Sequence, residues 1–226
     1  MQEKAKQEKE NVGDKINEFI QRNRKVIFVI ASLLIVLFVG SLVFLSVKDN
    51  INKKASVRLE ELTLKYEELK NRINEEDSKE EADAFLDELE TFAAKTKGFS
   101  GSKAWSIIAD IHAGRKDWAP AEEAYASSGR AGEKTYLGPL SYFNAAAAAE
   151  EQGKFDRAIE LLNLCLALKI EFPAAPRAQF AVGRLNEKLE KFPEALEAYR
   201  AVISDWPNQT VWQQLAQSRI LAIEVK

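Results

Sequence analysis

The chain has 226 residues, 46% of them hydrophobic and only 16 of them proline or glycine, so its composition predicts one or two helical domains with a buried core and almost no strand. Its formal net charge of −3, without a basic patch, argues against a nucleic-acid-binding protein. One cysteine, Cys165, and one histidine, His112, exclude an intrachain disulfide and a structural zinc site of the usual Cys/His type.

The most apolar stretch, residues 26–47, has the sequence VIFVIASLLIVLFVGSLVFLSV and contains no charged residue. At about 1.5 Å of rise per residue it spans roughly 33 Å as a helix, enough to cross a hydrocarbon core about 30 Å thick. A cleaved signal peptide is disfavoured because 25 residues of mixed charge precede the stretch and no small-x-small cleavage site follows it. A buried soluble helix is the remaining alternative. We therefore predict a single transmembrane helix over residues 26–47.

Positive charges flank this stretch on both sides. Residues 22–25 carry three of them in a tight cluster, and residues 48–58 carry four that are more widely spaced. Because short loops rich in lysine and arginine stay in the cytoplasm, the tighter cluster favours a cytoplasmic segment over residues 1–25. Everything after residue 47 is then translocated across the membrane.

The next segment, residues 48–78, is predicted to be an amphipathic connecting helix, because its apolar residues recur at alternating steps of four and three. These residues cover fewer than three heptads, whereas a sustained coiled coil normally needs three to four. Two interpretations stay open: a dimerising stalk, which would make the chain a homodimer, and a helix that packs on its own chain, which is favoured. The apolar seam consists of Ala55, Leu59, Leu62, Tyr66, Leu69 and Ile73.

Three segments of the second half of the chain align with one another: KDWAPAEEAY, GKFDRAIELL and EKFPEALEAY. In each, an aromatic residue precedes an alanine by three positions, and a large residue follows that alanine four positions later. The alanines, Ala121, Ala158 and Ala195, are 37 residues apart both times. A fixed period of this length in a helical sequence predicts a solenoid of helical hairpins. The pattern resembles the tetratricopeptide repeat, which carries W-x2-L-G-x2-Y in its first helix and A-x3-F in its second.

The last repeat unit shows the resemblance best. Gly183 takes the small position of the first helix, and Pro207 closes the repeat. Ala195 and Tyr199 form the pair of the second helix. The run of five alanines over residues 145–149 aligns with the first helix of the middle unit, and we therefore predict that it is the buried face of that helix. The fold class is all-α, with a transmembrane helix followed by a repeat domain over residues 79–226.

The two ends of the repeat domain are less regular. Ala84 lies a further 37 residues upstream of Ala121 and suggests a degenerate fourth unit. Residues 211–225 are predicted to form a final helix, because a solenoid needs a cap over its last repeat. Trp212, Leu215 and Ile220 are available to cover that repeat.

The sequence contains no motif that points to catalysis. A phosphate-binding loop, a dinucleotide-binding fingerprint and a nucleophile elbow are all missing. His112 stands at a tyrosine position of the repeat, and Cys165 falls on an inner face, so both are predicted to be packing residues. We expect neither an enzyme nor a cofactor, and no metal site.

A solenoid of hairpins presents an inner surface lined by its first helices, and we predict that this surface is a groove for protein partners. Phe143 and Phe180, flanked by charged residues, suit an extended or helical peptide; the alternative is that they only pack between hairpins. Counted from the repeat motif, the groove positions are Lys103, Ser106, Asp110, Phe143, Ala147, Glu150, Arg177, Phe180, Arg184 and Glu187.

The order of the segments also resembles the ancillary subunit of the bacterial Sec translocon. That family has a short cytoplasmic lead ending in an aromatic and basic segment, here INEFIQRNRK, then one membrane helix and a periplasmic tetratricopeptide-like domain. The resemblance implies an inner-membrane protein whose partners are translocon subunits, periplasmic chaperones or exported chains. It assigns no individual residue. The alternative function is a dimeric structural scaffold that organises another complex of the cell envelope.

Overall fold

A computed structural model of the chain describes residues 2–73 and 75–225, with side chains from residue 17 onward except at positions 31 and 76. Two of the predicted segments extend beyond this part. The segment over residues 1–25 begins one residue before it, and the repeat domain over residues 79–226 ends one residue after it. Within it the chain is helical without strand, which confirms the predicted fold class. The α-helices of the described residues are α1 Gln2–Leu69, α2 Lys79–Lys95, α3 Gly98–Gly114, α4 Trp118–Ala131, α5 Leu137–Glu151, α6 Phe155–Ala167, α7 Ala175–Lys188, α8 Phe192–Asp205 and α9 Thr210–Glu224, with a 3-10 turn over Glu76–Ser78.

The chain divides into two compact units, residues 1–54 and 55–226. Among the described residues, one helix is long and apolar enough to cross a membrane, and residues 26–47 lie in it. The large apolar side chains of this stretch, such as Phe28 and Val36, are exposed. The boundary between the units falls within the predicted connecting segment 48–78, so residues 55–73 belong to the same compact unit as the repeats.

The apolar seam is buried within the second unit. Leu62 and Leu69 are each only 1% exposed and share one buried cluster with Phe85 of α2. The ammonium group of Lys65 donates to the carboxylate of Glu88 on α2 at 2.8 Å. The last turns of α1 and the helix α2 therefore form a helical hairpin ahead of the predicted repeats. The seam packs on its own chain, so its surface is not available to a dimerising stalk.

This first hairpin has a different register from the one predicted. Ala84 is exposed, whereas Ala82 is completely buried and takes the position of the repeat alanine. The spacing to Ala121 is then 39 residues rather than 37. The prediction was wrong because α3, which lies between the two alanines, has 17 residues, two more than α5 in the next repeat, so the interval between the alanines is two residues longer.

The remaining helices form three successive hairpins, α3 with α4, α5 with α6 and α7 with α8. In the described part of the second unit, from α2 onward, each helix packs on the next one along the chain, and α3 also contacts α5 as α7 contacts α9. The repeat alanines Ala121, Ala158 and Ala195 are completely buried. This sequential arrangement is that of a solenoid and not of a closed bundle.

The turn inside each hairpin has the same geometry. Lys116, Gly153 and Glu190, spaced 37 residues apart, all have a positive φ, of 60°, 72° and 59°. The next backbone N–H donates to a carbonyl five residues earlier at 2.9 to 3.0 Å, from Asp117 to His112 in the α3–α4 hairpin and at the equivalent positions of the α5–α6 and α7–α8 hairpins. This pairing satisfies carbonyls at the end of the first helix. The three hairpins therefore repeat one another in backbone conformation as well as in sequence, although only the middle one has glycine at this position.

The alanine run lies on α5 as predicted. Ala145, Ala146, Ala148 and Ala149 are buried against neighbouring helices, whereas Ala147 is exposed. Methyl side chains allow the backbones of packed helices to come close together, and alanine also has the highest helix propensity. The prediction that the run forms the buried face of a first helix is confirmed for four of its five residues.

Helix α9 covers the last hairpin. Trp212 and Ile220 pack on it as predicted, but Leu215 is 44% exposed, and Ala216 and Ile223 are buried instead. The prediction for Leu215 was wrong because the buried face follows steps of four, four and three residues from Trp212. Leu215 lies beyond the edge of that face.

Candidate protein-binding surface

One pocket of the second unit is lined by residues of four helices, α5, α6, α7 and α9. It has a volume of about 270 Å³ and lies between α5, α7 and α9. The pocket is not lined by any of the groove residues predicted on α3, which are Lys103, Ser106 and Asp110. It is also not lined by Glu187 of α7. The predicted groove residues that do line it are Phe143, Ala147, Glu150, Arg177, Phe180 and Arg184.

Helical spacing explains how these side chains meet. Phe143 and Glu150 are seven residues apart on α5, and Arg177 and Arg184 are seven apart on α7. Residues separated by two turns lie on the same face of a helix, so each helix turns one face toward the pocket. Trp212 of α9 completes the wall.

Small and apolar side chains form the floor of the pocket. Ala146 and Ala147 of α5 and Ala181 of α7 carry only methyl groups, and Leu162 and Leu185 close the space beneath them. A larger side chain at the exposed position 147 would occupy the pocket. The part of the alanine run that does not pack against another helix therefore keeps the pocket open.

Aromatic rings form its walls and are held by other rings. The ring of Phe180 lies 5.2 Å from that of Tyr199 and 5.6 Å from that of Trp212, between centroids. The ring of Phe143 lies 6.0 Å from that of Phe172. These tilted arrangements are the favourable ones for aromatic pairs. Both phenylalanines of the predicted groove thus pack between hairpins and also line the pocket.

A bidentate ion pair crosses from α7 to α5 at the pocket. The two terminal nitrogens of Arg184 donate to the two carboxylate oxygens of Glu150, both at 2.6 Å. The hydrogen bonds from Arg184 lower the pKa of Glu150 and raise that of Arg184. Because both side chains are partly exposed, the pair adds at most about 1 kcal/mol to stability. Its geometry still fixes both side chains in place.

Arg177 has a different environment. Its guanidinium carbon lies 5.2 Å from the centroid of the Phe143 ring, which is a cation–π contact. Arg177 is exposed and forms no ion pair with any residue that the structure describes. It is therefore a cation of the pocket that is positioned but not neutralised.

Glu187, in contrast, is engaged by its own domain. It accepts a hydrogen bond from the Tyr199 hydroxyl at 3.1 Å and one from Arg219 Nε at 3.0 Å, and Arg219 Nη2 bonds to its second oxygen. Burial, and then the bond to Glu187, raise the pKa of Tyr199 to about 12. These bonds connect α7 to α8 and α9, which indicates a structural role for a residue predicted to face the groove.

The α3 end of the predicted groove is also occupied by internal contacts. The hydroxyl of Tyr125 donates to Asp110 Oδ1 at 2.5 Å. Burial raises the pKa of Asp110, and burial, followed by the nearby Asp110 carboxylate, raises the pKa of Tyr66. Lys103 and Ser106 are half-buried. Asp110 is therefore engaged within the domain, and Lys103 and Ser106 are partly covered.

Reasoning from the sequence missed two pocket features. Trp212 was assigned only to the cap, and Phe172, which supports Phe143, lies in the α6–α7 connection. The contact of α9 with α7 has the same form as that of α5 with α3, so α9 occupies the place of a further first helix. The 37-residue period aligns Trp212 with Ala175, which is not a groove position, so the repeat gave no signal for its place in the pocket.

The chemically reactive side chains lie away from this pocket. Cys165 is buried and burial raises its pKa to about 12, which keeps the thiol protonated. His112 is half-buried, and burial lowers its pKa. Among the described residues there is no group of three or more His, Cys, Asp or Glu side chains placed to hold a metal ion.

Residues 17–225 match the sequence profile of the tetratricopeptide repeat-like domain. A TPR repeat-containing protein of Treponema pallidum (strain Nichols) is 37% identical over 145 residues, which are 63% of this chain but only 60% of that protein. Two solved structures contain nearly identical TPR-like repeats from a candidate kinesin light chain of Podosopora anserina. They cover 76% and 75% of this chain, and 94% and 95% of their own, at 15% and 16% identity with TM-scores of 0.47 and 0.46. Both scores lie below 0.5, so neither structure adds to the description of the fold.

Proposed function

Because the chain belongs to the tetratricopeptide repeat-like domain family, we propose that it is a protein-binding scaffold whose partners dock in the pocket between α5, α7 and α9. Helical repeats of this type present extended surfaces to other proteins and are typically not catalytic. The observation that carries the proposal is the pocket itself, in which aromatic rings lie beside an exposed arginine. Aromatic residues and arginine dominate the binding energy of protein interfaces.

The shape and lining of the pocket favour a polypeptide as the ligand. Its apolar floor and the rings of Phe180 and Trp212 accept a large side chain, while Arg177 and the Glu150–Arg184 pair remain available to polar groups. A central apolar contact with a polar rim is the common anatomy of protein interfaces. The partner's main chain would then continue across the neighbouring first helices.

We further propose that residues 26–47 anchor the scaffold in a membrane, with the repeats on the translocated side. The support is the length and apolar character of this part of α1 and its exposed side chains. The cluster of positive charges over residues 22–25 favours the cytoplasmic N-terminus. In a bacterium with two membranes this places the repeat domain in the periplasm.

The more specific proposal is an accessory of the Sec translocon that helps to hand over exported proteins. Its support is the resemblance in segment order, and its partners would be translocon subunits, periplasmic chaperones or exported chains. A scaffold that organises another envelope complex is the alternative. A homodimer formed through the seam over residues 55–73 lacks the surface that suggested it, because that seam is buried in the second unit.

Site-specific photo-crosslinking in cells tests the proposed function. A photo-reactive amino acid is placed at Ala147 or Arg184 in the pocket of the full chain, and at Glu197, an exposed position of α8, as the matched control. We expect crosslinks to other polypeptides from the two pocket positions and none from position 197. Crosslinks to translocon subunits or chaperones support the specific proposal, and those to other envelope proteins support the alternative. Crosslinks only to lipid or to the chain itself contradict both.

The compartment requires a separate measurement. A reporter enzyme that is active only after export is fused to the C-terminus of the full chain. We expect activity, because the repeats follow the membrane segment and a cytoplasmic N-terminus. A cytoplasmic reporter would overturn the periplasmic location and the translocon assignment, but not the protein-binding pocket.

A further inference from the structure

The charges around the pocket do not balance. Glu150 and Arg184 are paired with each other through two hydrogen bonds of 2.6 Å, so they neutralise one another. Arg177 remains, with its guanidinium over the ring of Phe143 and without an ion pair among the described residues. The pocket thus has one uncompensated positive charge beside an apolar recess.

The position of Arg177 strengthens this charge. It is the third residue of α7, a helix of 14 residues that begins at Ala175. The first backbone N–H groups of a helix lack partners inside the helix and add a positive potential at that end. The ring of Phe143 holds the guanidinium near the recess, so a carboxylate that reached it would meet a cation already in place.

The recess beside Arg177 takes a large apolar group. Its walls are the rings of Phe180 and Trp212, and its floor is made of Ala181 and Leu185. A volume of about 270 Å³ exceeds that of any single side chain, so the space accommodates an aliphatic or aromatic residue together with adjoining main chain. An apolar side chain and a carboxylate within about one helical turn of it would satisfy both parts of the pocket.

From this arrangement, and resting on the proposed function, we infer that the pocket binds acidic segments of partner proteins. The occupant is a segment with a large apolar residue in the recess and an aspartate or glutamate side chain on Arg177. A side-chain carboxylate fits better than a chain terminus, because a terminal carboxylate is usually held by several donors. The pocket offers one unpaired guanidinium among the residues that the structure describes, since Arg184 is held by Glu150.

Glu150 limits the affinity for such segments. Its carboxylate holds Arg184 and repels a second carboxylate that approaches the pocket. Replacing Glu150 with glutamine removes the negative charge and frees the guanidinium of Arg184 for the ligand. The substitution Glu150→Gln is therefore expected to tighten binding of acidic segments severalfold, whereas Arg177→Glu is expected to weaken it at least tenfold.

The experiment is a peptide selection on the full chain. Wild type and Arg177→Glu are purified in detergent, with Lys134→Glu, an exposed position outside the pocket, as the matched charge reversal. Each is presented with random twelve-residue peptides displayed inside a carrier protein, so that no peptide has a free C-terminus. A second library with free C-termini is run in parallel, and circular dichroism checks the helix content of each protein.

We expect wild type and Lys134→Glu to enrich acidic sequences that contain a large apolar residue, with affinity falling as salt is raised. Arg177→Glu should lose these sequences and shift toward basic ones. Neutral or basic sequences on wild type, or the same acidic sequences on Arg177→Glu, would overturn the inference but leave the proposed function. Enrichment only from the library with free C-termini would overturn the side-chain assignment. A folded protein that enriches nothing would overturn the proposed function as well.

Discussion

The two ends of the row of first helices differ although their backbones repeat. Ser106 of α3 is equivalent to Phe180 of α7, and Asp110 is equivalent to Arg184, each pair being 74 residues apart. Asp110 bonds within its own hairpin to Tyr125, whereas Arg184 bonds across to Glu150 on the preceding first helix. When a polar side chain finds its hydrogen-bond partner in its own hairpin, as Asp110 does, the inner surface is closed at that point. When the partner lies on another hairpin, as for Arg184, a recess lined by neighbouring helices remains.

Side-chain size decides the same difference. Ala147 of α5 is the repeat equivalent of Asp110 in α3 and of Arg184 in α7. Its methyl group leaves space between the rings of Phe143 and Phe180. At the α3 end, the larger side chain of Tyr66, which is partly buried, lies near Asp110. The repeat therefore fixes where side chains project, and the individual residues decide whether a pocket forms.

The largest expected effect comes from adding one methyl group behind the pocket. A Cβ atom at Gly183 would lie 2.6 Å from the ring of Tyr199, which supports the ring of Phe180. We expect Gly183→Ala to destabilise the repeat domain by about 1 to 2 kcal/mol, because overpacking exceeds the gain in helix propensity. The midpoint of urea unfolding measures the effect, and peptide binding should weaken in the same variant.

The equivalent position in α3 provides the control. Ala109 is completely buried and lies 74 residues before Gly183, so Ala109→Gly should cost about 1 kcal/mol through helix propensity and leave peptide binding unchanged. A stabilised Gly183→Ala variant would show that the Tyr199 ring moves at little cost. The packing at Gly183 of α7 would then not be tighter than the packing at Ala109 of α3.

The turns allow a comparison of all three hairpins at one position. Glu190 and Lys116 hold a left-handed conformation that glycine adopts without strain. We expect Glu190→Gly and Lys116→Gly to stabilise the domain by up to about 1 kcal/mol, and Gly153→Ala to destabilise it by about 1 kcal/mol. Thermal unfolding measures all three. Glu123→Gly, inside α4, is the control and should be destabilising; a loss of stability in Glu190→Gly would contradict the strain.

The features of the fold that recur in each repeat could be predicted from the sequence. Few of the features that depend on one particular pair of residues could be. The alanines at 121, 158 and 195 and the run over 145–149 mark the buried faces, because close helix packing requires small side chains at fixed intervals. The role of Glu187 could not be predicted, since its partner Arg219 lies in α9, outside the three segments that align as repeats. The register of α2 was missed because α3, which follows it, is two residues longer than α5, so the 37-residue period does not continue to α2.

The ion pair of the pocket should contribute a smaller amount to stability. We expect Glu150→Gln to cost less than about 1 kcal/mol at neutral pH, because both side chains are partly exposed. Arg184 lowers the pKa of Glu150, so the advantage of the wild type is present above the ordinary glutamate pKa of about 4.3 and is lost as pH falls through the lower folded value. Thermal unfolding from pH 7 to pH 3 tests this. An advantage of the wild type that is undiminished at pH 3 would contradict it.

The α3 end should show the opposite pH dependence, with the smallest effect. Burial raises the pKa of Asp110, so the neutral acid is the form that the fold favours. Its contribution is therefore present below the ordinary aspartate pKa of about 3.9 and is lost as pH rises through the folded value.

An asparagine in place of Asp110 does not titrate, and its carbonyl oxygen still accepts the hydrogen bond that Tyr125 donates at 2.5 Å in the wild type. Asp110→Asn should therefore be at least as stable as the wild type at pH 7, and the wild type should gain on it as pH falls toward 4. Thermal unfolding across that range, run beside Glu150→Gln, should give two slopes of opposite sign. If the wild type instead gained on Asp110→Asn as pH rose, the bond from Tyr125 to the ionised carboxylate would outweigh its burial. The α3 end would then hold its carboxylate as an anion, as the pocket does, and the electrostatic difference between the two ends would disappear.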